Sequence, residues 1–523
     1  MSVSLPDYIE AMLSPGAYPH PVGRVKLIQT HISYVFLAGD FVYKVKKPVD
    51  LGFLDFTTME KRRHFCQEEV RLNRRLCRGM YLDVVPVSFV AGVVQVDAAG
   101  AVVDYAVKMR CLPEERMMPQ LLRRDAVTSE MLARLAGRIA EFHAAAETSD
   151  EIAAFGGLDT VLGNWRENFE QTEPYIGRTI TRRQFEEIRA YVDDFTQREA
   201  DLFAQRVREG RIRDCHGDLR AEAVCFEDDV CIFDCIEFNE RFRYSDVAAD
   251  LAFLAMDLDS RGRRDLSDEL VGLYLGQAAD PILPLVLNFY RCYRAYVRGK
   301  VDGFQLDEPE VPERQKARAR RRARAFFRLA HAYATQAVPR VLMITVGPSG
   351  TGKSYLASAL AGRVGAAIYS SDVTRKRLLG IEPAESREEP IDAGIYSPDI
   401  TERTYQRMLE EARPHLERGR PVLLDATYLR REQRAEAARL AAQTGSRFLA
   451  LECRASERLI RQRLARRRDE PKAVSDGRLE VYEAQKARYE PPTELPRAQR
   501  LIVDTRRPLT EQIERALNRL SEG

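Results

Sequence analysis

The segment from Gly347 to Ser354 constrains the fold of this chain more than any other part of the sequence. It matches the pattern G-x-x-x-x-G-K-[ST] at every position with Gly347, Pro348, Ser349, Gly350, Thr351, Gly352, Lys353 and Ser354. A β-type run from Val341 to Val346 precedes it, and a helical pattern from Tyr355 to Arg363 follows it. In that context a glycine-rich loop and a helix N-terminus bind phosphate. We expect Lys353 to contact the β- and γ-phosphates of a nucleotide and Ser354 to coordinate Mg²⁺.

After residue 340, short apolar runs alternate with arginine-rich helical stretches. The runs are Val341 to Val346, Ala366 to Ser370, Val422 to Leu424, Phe448 to Cys453 and Leu501 to Val503. Such alternation predicts βαβ units and a parallel sheet with helices on both faces. We therefore expect an α/β domain over residues 336–523, joined near residue 335 to a domain of unrelated architecture over residues 1–335.

Two aspartates follow predicted strands, at the sheet edge where open α/β folds bind ligands. Asp372 follows the run that starts at Ala366, and Asp425 follows Val422 to Leu424. Phosphoryl transfer to a hydroxyl needs a carboxylate that accepts a proton, and Asp372 is the candidate. Asp425 either orients Mg²⁺ through water or caps the next turn.

A later arginine cluster can supply a lid that binds phosphates, or it can be an ordinary solvated helix face. Its members are Arg461, Arg463, Arg466, Arg467 and Arg468. We take Arg463 and Arg467 as the candidate phosphate ligands.

These segments resemble the small P-loop kinases that phosphorylate hydroxyl groups, such as polynucleotide 5′-kinases, gluconate-type kinases and zeta-type toxins. The resemblance covers residues 340–523 and rests on the phosphate loop, on Ser371 to Arg375 and on Leu424 to Thr427. It implies that Asp372 is the catalytic base and that Arg375 helps to bind the acceptor. Kinases of many acceptors share these motifs, so the acceptor stays open.

The first hundred residues have a different pattern, dominated by β-type runs. Ile32 to Leu37 and Phe41 to Lys46 flank a short glycine-containing connection and predict a hairpin. Val93 to Val96 and Val102 to Met109 form a second pair, separated by four residues. The helical pattern from Met59 to Leu76 lies between the two pairs. We expect an antiparallel sheet with one helix, followed by a mainly helical region from Pro119 to about Ala334.

One β-rich island, Val224 to Phe233, interrupts the helical region. Asp218 precedes this segment and Asp234 follows it. Because an antiparallel hairpin brings its two ends together, we expect the two aspartates to lie near each other. One carboxylate can then accept a proton while the other holds Mg²⁺. The alternative is that both aspartates only cap turns.

The β-rich lobe contains residues suited to the remaining nucleotide contacts. Lys44 lies on a predicted strand and Glu69 on the following helix, a pairing that binds α- and β-phosphates in protein kinases. Lys46 projects from the same strand face and is an alternative to Lys44. The stretch from Val107 to Leu112 ends the lobe as a hinge would, with backbone groups available to an adenine.

Together, residues 20–330 resemble the aminoglycoside phosphotransferase and choline-kinase-like family, which implies a bilobal, protein-kinase-like fold. Ala140 to His143 and Asp246 to Ala252 match further family segments. The resemblance implies that Asp218 is the catalytic base, Asp234 a Mg²⁺ ligand and Asp250 a structural aspartate. We interpret His143 and His216 as packing or hydrogen-bonding residues.

Two departures from the family pattern concern activity. Ala223 replaces the Asn expected five residues after the catalytic Asp, and no glycine-rich loop is visible between Gln29 and Tyr34. We expect this half to bind ATP and to transfer phosphate slowly. Glu222 or Glu237 is the alternative ligand that would make the site fully competent.

The whole chain thus resembles bacterial fusion proteins in which an aminoglycoside-phosphotransferase-like domain precedes a P-loop kinase. The resemblance implies an ATP- and Mg²⁺-dependent kinase acting on a hydroxyl-bearing acceptor, a small molecule or a nucleic-acid end. The competing hypothesis is a nucleotide-regulated binding protein, with a pseudokinase first half and an ATPase switch in the second.

Composition adds a few exclusions. The formal net charge of 81 − 79 = +2 gives no global argument for a nucleic-acid or membrane partner. Arg314 to Arg328 carries eight basic residues, which indicate either an anionic partner or a solvated helix face.

The N-terminus shows no signal-peptide pattern, and no apolar run is long enough to span a membrane. We therefore expect a cytoplasmic protein without a membrane segment. Its nine cysteines show no paired spacing and predict reduced thiols. The sequence does not indicate an oligomeric state.

Overall fold

The structure is a computed structural model that describes residues 5–337, 339–381, 394–468 and 479–522, with the backbone alone for 466–468. The chain divides into two compact units. The first comprises Met1–Arg134, Glu141–Val161 and Phe203–Asp250, and the second comprises Leu135–Ala140, Leu162–Leu202 and Leu251–Gly523. The domain boundary near residue 335 stays a prediction, and the second unit takes helices from both sides of it.

A six-stranded antiparallel sheet forms the start of the first unit. Its strands are β1 Val25–Gln29, β2 Ser33–Ala38, β3 Phe41–Lys46, β4 Tyr81–Val90, β5 Val93–Val96 and β6 Ala101–Arg110. Their order across the sheet is β1-β2-β3-β6-β4-β5. The predicted β2–β3 hairpin is confirmed, and Gly39 at its turn has a φ of 63° that favours glycine.

The second predicted strand pair is wrong. Strands β5 and β6 are not neighbours, because β4 lies between them and pairs with both. Sequence patterning missed β4 because Asp83 and Pro86 interrupt its apolar run. Its Val85 and Val87 are nevertheless buried in the sheet.

The helices of the first two-thirds of the chain follow the predicted pattern. They are α1 Asp7–Ala11, α2 Met59–Asn73, α3 Met118–Arg123, α4 Ser129–Ala145, α5 Asp150–Ala154, α6 Leu158–Thr172, α7 Arg182–Arg198, α8 Ala200–Arg208, α9 Glu240–Arg243, α10 Val247–Ser260, α11 Arg264–Ala278, α12 Leu283–Phe304 and α13 Glu313–Ala334. Thr58 caps the N-terminus of α2, since its hydroxyl accepts from the Lys61 N–H at 3.3 Å, and the helix packs on β4 and β6. This packing buries Glu69 above the sheet.

Two small antiparallel pairs of three-residue strands complete the first unit. They are β7 Ile212–Asp214 with β10 Tyr244–Asp246, and β8 Val224–Phe226 with β9 Val230–Ile232. The β8–β9 hairpin confirms the predicted island. Strands β7 and β10 were not predicted, because they pair residues far apart in sequence, such as Asp214 with Tyr244, and no local turn marks them.

The basic stretch from Arg314 to Arg328 forms most of α13. Its buried side is built from Ala319, Ala323 and Phe327, and the helix packs against α12 and α7. Arg322 pairs with the buried Asp302 at 2.9 Å, while most of the other basic side chains are exposed.

A five-stranded parallel sheet forms the centre of the second unit, as predicted. Its strands are β11 Val341–Val346, β12 Ala367–Ser370, β13 Val422–Asp425, β14 Arg447–Arg454 and β15 Arg500–Asp504, in the order β12-β13-β11-β14-β15. Its helices are α14 Lys353–Val364, α15 Ser371–Leu378, α16 Pro398–Glu417, α17 Arg431–Gln443, α18 Glu457–Arg468, α19 Leu479–Arg488 and α20 Leu509–Ser521. Strand β11 is buried along its whole length, as expected for a central parallel strand.

Helix α14 also packs closely against α11 within the same unit. A Cβ added to Gly272 of α11 would lie 3.0 Å from backbone atoms of Ala359, so glycine permits this approach. At the two ends of the contact, Arg363 pairs with Asp268 at 2.7 Å and the Tyr355 hydroxyl donates to Glu269 at 2.7 Å.

The cysteines depart from the sequence expectation at one pair. Cys77, just after α2, and Cys231, on β9, form a disulfide across 154 residues of sequence. Their Cα atoms lie 4.7 Å apart, a separation that a disulfide can bridge and that sequence spacing does not reveal. The expectation of reduced thiols is wrong for this pair, and the other seven cysteines are free.

None of the helices in the described ranges combines the length and apolar character needed to cross a bilayer.

A buried histidine on α16 should make stability depend on pH. Burial and the nearby Arg420 and Arg418 lower the pKa of His415 to about 4, and its Nε2 contacts the Tyr369 hydroxyl at 2.9 Å. Between pH 4 and 6.5 the unfolded chain binds a proton here that the folded chain does not, so stability falls as pH falls. The slope for such a group is about 1.4 kcal/mol per pH unit.

We expect His415→Gln, which keeps an acceptor for Tyr369, to flatten that dependence. The measurement is the melting temperature of both proteins from pH 4.5 to 7.5. Parallel curves for the two proteins would contradict this account.

Candidate active sites

The phosphate loop connects β11 to α14, as its sequence predicts. Gly347, Gly350 and Gly352 have φ values of 137°, 79° and 91°, which side chains with a Cβ rarely adopt. A Cβ on Gly347 would also lie 2.9 Å from the carbonyl oxygen of Cys453 on β14. The loop conformation therefore requires glycine at these positions.

Two polar groups of the phosphate loop donate hydrogen bonds to oxygen atoms of the protein. The Ser349 N–H donates to Oε1 of Gln485, on α19, at 2.7 Å. The Lys353 ammonium is buried and donates to the Pro348 carbonyl at 2.8 Å. A loop N–H that donates to a side-chain amide oxygen is equally suited to donate to a phosphate oxygen.

The structure brings Ser354 and Asp425 together. The Ser354 hydroxyl hydrogen-bonds to the Asp425 carboxylate, which also accepts from Thr345 Oγ1 at 3.1 Å. Burial raises the pKa of Asp425, although the Ser354 contact and the Lys353 charge oppose that effect. A hydroxyl beside a carboxylate at the carboxyl edge of the sheet is a suitable donor set for Mg²⁺.

Asp372 lies in the first turn of α15, at the carboxyl end of β12. Arg375, one turn later, donates to its Oδ1 at 3.1 Å and is itself buried. The Arg375 guanidinium also lies over the ring of Tyr396 at 4.8 Å. Asp372 thus has its partner on its own helix, and Tyr396 is a contact that sequence reasoning missed.

Of the two candidate phosphate-binding arginines, the structure describes the side chain of Arg463. Arg463 donates to Thr505 Oγ1 at 3.0 Å and to the Thr505 carbonyl at 2.8 Å, beside the Gly350 carbonyl. The Thr505 hydroxyl in turn donates to the Thr351 carbonyl at 2.7 Å. Arg463 therefore supports the phosphate loop through Thr505. The Arg467 side chain lies outside the described residues.

The second candidate site lies in the first unit and contains both lysines of β3. Lys44 contacts Glu69 at 2.8 Å and Asp234 at 3.0 Å. Lys46, two residues on and fully buried, contacts the other oxygen of Glu69 at 2.8 Å and also Glu237. Lys44 therefore reaches the candidate metal ligand, whereas Lys46 joins two buried carboxylates.

The charges of this network explain its pKa shifts. Burial disfavours the charged form of both lysines, but the surrounding carboxylates outweigh it and raise the pKa of Lys44 and Lys46. Burial would raise the pKa of Glu69, yet the two lysines lower it. Lys44 likewise lowers the pKa of Asp234. Lys44, Lys46, Glu69 and Asp234 are thereby held in their charged forms, whereas burial raises the pKa of Glu237 against the opposing charge of Lys46.

Asp234 has a left-handed backbone, with a φ of 62°, which is uncommon for a residue with a Cβ. Its N–H donates to the hydroxyl of Tyr81, a contact of 3.2 Å that sequence reasoning missed. Its side chain is 59% exposed and so remains accessible to a ligand.

His216 connects the segments that carry the two candidate catalytic aspartates. Its Nδ1 accepts from the Asp218 N–H at 3.3 Å, and its Nε2 contacts the carbonyl of Phe233 at 2.9 Å. These contacts favour the tautomer with the proton on Nε2, and burial lowers the pKa of His216. Asp250 fixes the same turn by accepting from the N–H groups of His216 and Gly217 at 2.8 and 2.9 Å.

The predicted hinge, and the stretch where a glycine-rich loop is missing, both make hydrogen bonds within the protein. The Cys111 N–H donates to the Asp40 carbonyl at 2.8 Å, so this hinge group already has a partner. Between β1 and β2 the Thr30 hydroxyl accepts from the N–H groups of Ile32 and Ser33. This turn is therefore closed by a threonine.

Comparisons with known proteins find matches to both halves of the chain. A family model described as "Phosphotransferase enzyme family" matches residues 66–285, and one described as "AAA domain" matches residues 342–492. Uncharacterized protein Rv2004c of Mycobacterium tuberculosis (strain ATCC 25618 / H37Rv) is 33% identical over 473 residues, 90% of this chain and 91% of that protein. The chain belongs to the same family. It joins an aminoglycoside phosphotransferase-like domain to a P-loop kinase-like domain.

Two solved structures are also similar to parts of the chain. A gluconokinase from Sinorhizobium meliloti 1021 is 21% identical, covering 36% of this chain and 94% of its own, with a TM-score of 0.26. A choline/ethanolamine kinase family protein from Mesorhizobium loti is 15% identical, covering 60% and 92%, with a TM-score of 0.34.

The phosphotransferase domain offers a test of its buried charges. Removing Lys46 leaves Glu69 and Glu237 without a shared cation, and breaking such a buried pair costs about 3–5 kcal/mol. We expect Lys46→Met to lower the melting temperature strongly, and Lys46→Met combined with Glu237→Gln to recover part of the loss.

Lys44→Met is the matched control for this experiment. It leaves Lys46 on Glu69 and removes a contact to the exposed Asp234, so a smaller loss is expected. Equal melting temperatures for Lys46→Met and the unchanged protein would contradict the assignment of Lys46 as a structural cation.

Proposed function

We propose that the protein is an ATP- and Mg²⁺-dependent phosphotransferase with two nucleotide-binding modules, and that it transfers the γ-phosphate to a hydroxyl acceptor. The observation that carries the proposal is the convergence of Gly347–Ser354, Asp425 and Asp372 at one edge of the parallel sheet. A phosphate cradle, a metal donor set and a proton acceptor are the three parts that phosphoryl transfer requires.

The P-loop residues fit ATP and Mg²⁺ on their own contacts. The Ser349 N–H already holds an oxygen acceptor, and the Lys353 ammonium lies within the same loop, where it can exchange the Pro348 carbonyl for a phosphate oxygen. Ser354 and Asp425 would hold Mg²⁺, the aspartate directly or through water. A bound Mg²⁺ supplies charge neutralisation for the transferring phosphoryl group.

The transfer step assigns one role to each remaining residue. Asp372 accepts the proton of the acceptor hydroxyl while the acceptor oxygen forms its bond to the γ-phosphorus. The bond from the γ-phosphorus to the bridging oxygen breaks, and its electron pair leaves with ADP. Lys353 balances the charge that develops on the phosphoryl oxygens. Arg375, buried beside Asp372, would hold the acceptor, a small molecule or a nucleic-acid end.

In the phosphotransferase domain, Lys44 would hold the α- and β-phosphates, Asp234 the Mg²⁺ and Asp218 the acceptor proton. The support is geometric: Lys44 lies 2.8 Å from Glu69 and 3.0 Å from Asp234, and His216 joins the Asp218 and Asp234 segments. The same division of labour operates in protein kinases.

The first test removes the phosphate-binding lysine of the P-loop in the full-length protein. Asp218→Asn serves as the background, so that the first domain does not contribute transfer. We expect Lys353→Ala to lower the transfer of radiolabelled phosphate by at least about 100-fold, as for loss of a cation that stabilises the transition state. The acceptor panel should contain sugars, nucleosides, aminoglycosides and oligonucleotide 5′ ends.

The matched control is Lys486→Ala, at an exposed lysine. Lys376→Ala is unsuited as a control, because Lys376 is buried beside the site. Unchanged turnover in a folded Lys353→Ala protein would refute the proposal for this module. ATP hydrolysis without labelling of any acceptor would favour a nucleotide-driven switch instead.

The second test separates the proton acceptor from the phosphate cradle. We expect Asp372→Asn to retain binding of a non-hydrolysable ATP analogue and to lose about 10²–10⁴-fold in transfer, the usual contribution of general base catalysis. Calorimetry measures the first quantity and phosphate labelling the second. Equal loss of both would show that Asp372 serves the nucleotide site or the fold.

A further inference from the structure

The phosphotransferase domain lacks a side chain where a second metal ligand is expected. Ala223 ends a single 3₁₀ turn, Ala221–Ala223, and is buried with 6% exposure. Its N–H donates to the Arg220 carbonyl, and its carbonyl accepts from the Phe233 N–H, both at 2.9 Å. The methyl group offers no ligand atom, and the backbone groups already have partners.

Neither neighbouring glutamate is placed to substitute for the missing ligand. Glu237 is buried and its carboxylate pairs with Lys46, the cation that also holds Glu69. Glu222 is half-exposed and points to the Arg220 guanidinium, with a contact of 3.3 Å. A second cation would have to compete with an existing positive charge at either carboxylate.

Arg220, three residues before Ala223, brings a positive charge to two neighbouring carboxylates. Its Nε and Nη2 donate to the two oxygens of Asp218, each at 2.8 Å, and its Nη1 donates to Glu222. Its charge also contributes to lowering the pKa of Asp234, after the larger effect of Lys44 and that of His216. Arg220 is three residues before Ala223, on the same turn, and only 20% of its side chain is exposed.

We infer that Arg220 takes the place of the second metal ion in this domain, so that the site works with one Mg²⁺ and one built-in guanidinium. The inference rests on the proposed function of the domain and specifies how its charge is balanced. A guanidinium keeps its charge at all relevant pH values and donates two parallel hydrogen bonds, which suits phosphoryl oxygens.

The role requires Arg220 to change partners during the reaction. In the structure its Nε and Nη2 both donate to Asp218, the candidate proton acceptor. When Arg220 turns to the γ-phosphoryl oxygens, Asp218 becomes able to accept the proton of the attacking hydroxyl. The new oxygen–phosphorus bond forms, the bond to the bridging oxygen breaks, and its electron pair leaves with ADP.

The test uses the full-length protein with Lys353→Ala and Ser354→Ala, which remove the two P-loop side chains proposed to hold nucleotide and metal. The first readout is the number of Mn²⁺ ions bound in the presence of a non-hydrolysable ATP analogue, counted by electron paramagnetic resonance. We expect one ion with Ala223 or with Ala223→Asn alone, and two when Ala223→Asn is combined with Arg220→Gln.

The second readout is phosphate transfer in the same background across Mg²⁺ concentrations. We expect Arg220→Gln to lower the rate by about 100-fold, as for other cations that stabilise the transferring phosphoryl group, and Arg220→Lys to lower it less. Adding Ala223→Asn to Arg220→Gln should recover at least part of the rate at high Mg²⁺. Ala223→Asn alone should change it less than about threefold, because the charge is already present.

Arg241→Gln, an exposed arginine of α9 in the same unit, is the matched control and should leave both readouts unchanged. Thermal melting of each variant separates loss of function from loss of fold. Two Mn²⁺ ions at the unchanged Ala223 site, or faster transfer by Arg220→Gln, would refute the inference alone. A domain that binds no ATP analogue would refute the proposed function and, with it, this inference.

Discussion

The packing of helix α14 is the constraint on which the P-loop half of this molecule depends. One side of the helix, including Leu356 and Leu360, is buried in the core of the parallel sheet. The other side meets α11 so closely that Gly272 and Gly362 leave no room for a larger side chain. Since the phosphate loop ends where α14 begins, both contacts fix the direction in which Lys353 and Ser354 point.

Helix α14 packs on a helix that lies before residue 335 in the chain. Helix α11 lies within the stretch matched by the phosphotransferase family model, yet it belongs to the same compact unit as the P-loop sheet. Cutting the chain near residue 335 would expose the glycine-lined face of α11 and leave Asp268 without Arg363. The full-length protein is therefore the appropriate material for every experiment.

The sequence predicted the second half better than the first, for a physical reason. A phosphate loop requires a strand before it and a helix after it, so one motif determines the local fold, and the parallel sheet follows from the alternation of elements. The structure places the Ser354 hydroxyl on Asp425, two residues that the sequence assigned separately to Mg²⁺, and that role stays a prediction. The contact of Gln485 with Ser349 was not predictable, because 136 residues separate them and no pattern connects an amide to a loop N–H.

In the first half, local patterns were insufficient. Pro86 and Asp83 interrupt the apolar pattern of strand β4, so neither this strand nor the order of the sheet was predicted. The alternation along β3 placed Lys44 and Lys46 on one face but did not separate their roles, which depend on Asp234 and Glu237 far along the chain. Sequence identified candidate aspartates for the chemistry, whereas the partners that hold them are set by tertiary contacts.

The central claim is that one chain carries two nucleotide sites, and the most direct test is the stoichiometry of nucleotide binding. Calorimetric titration of the full-length protein with a non-hydrolysable ATP analogue and Mg²⁺ should give two molecules per chain. Lys353→Ala and Lys44→Met should each leave one, and the double variant none. A single site in the unchanged protein, lost with Lys353→Ala and unaffected by Lys44→Met, would contradict the account.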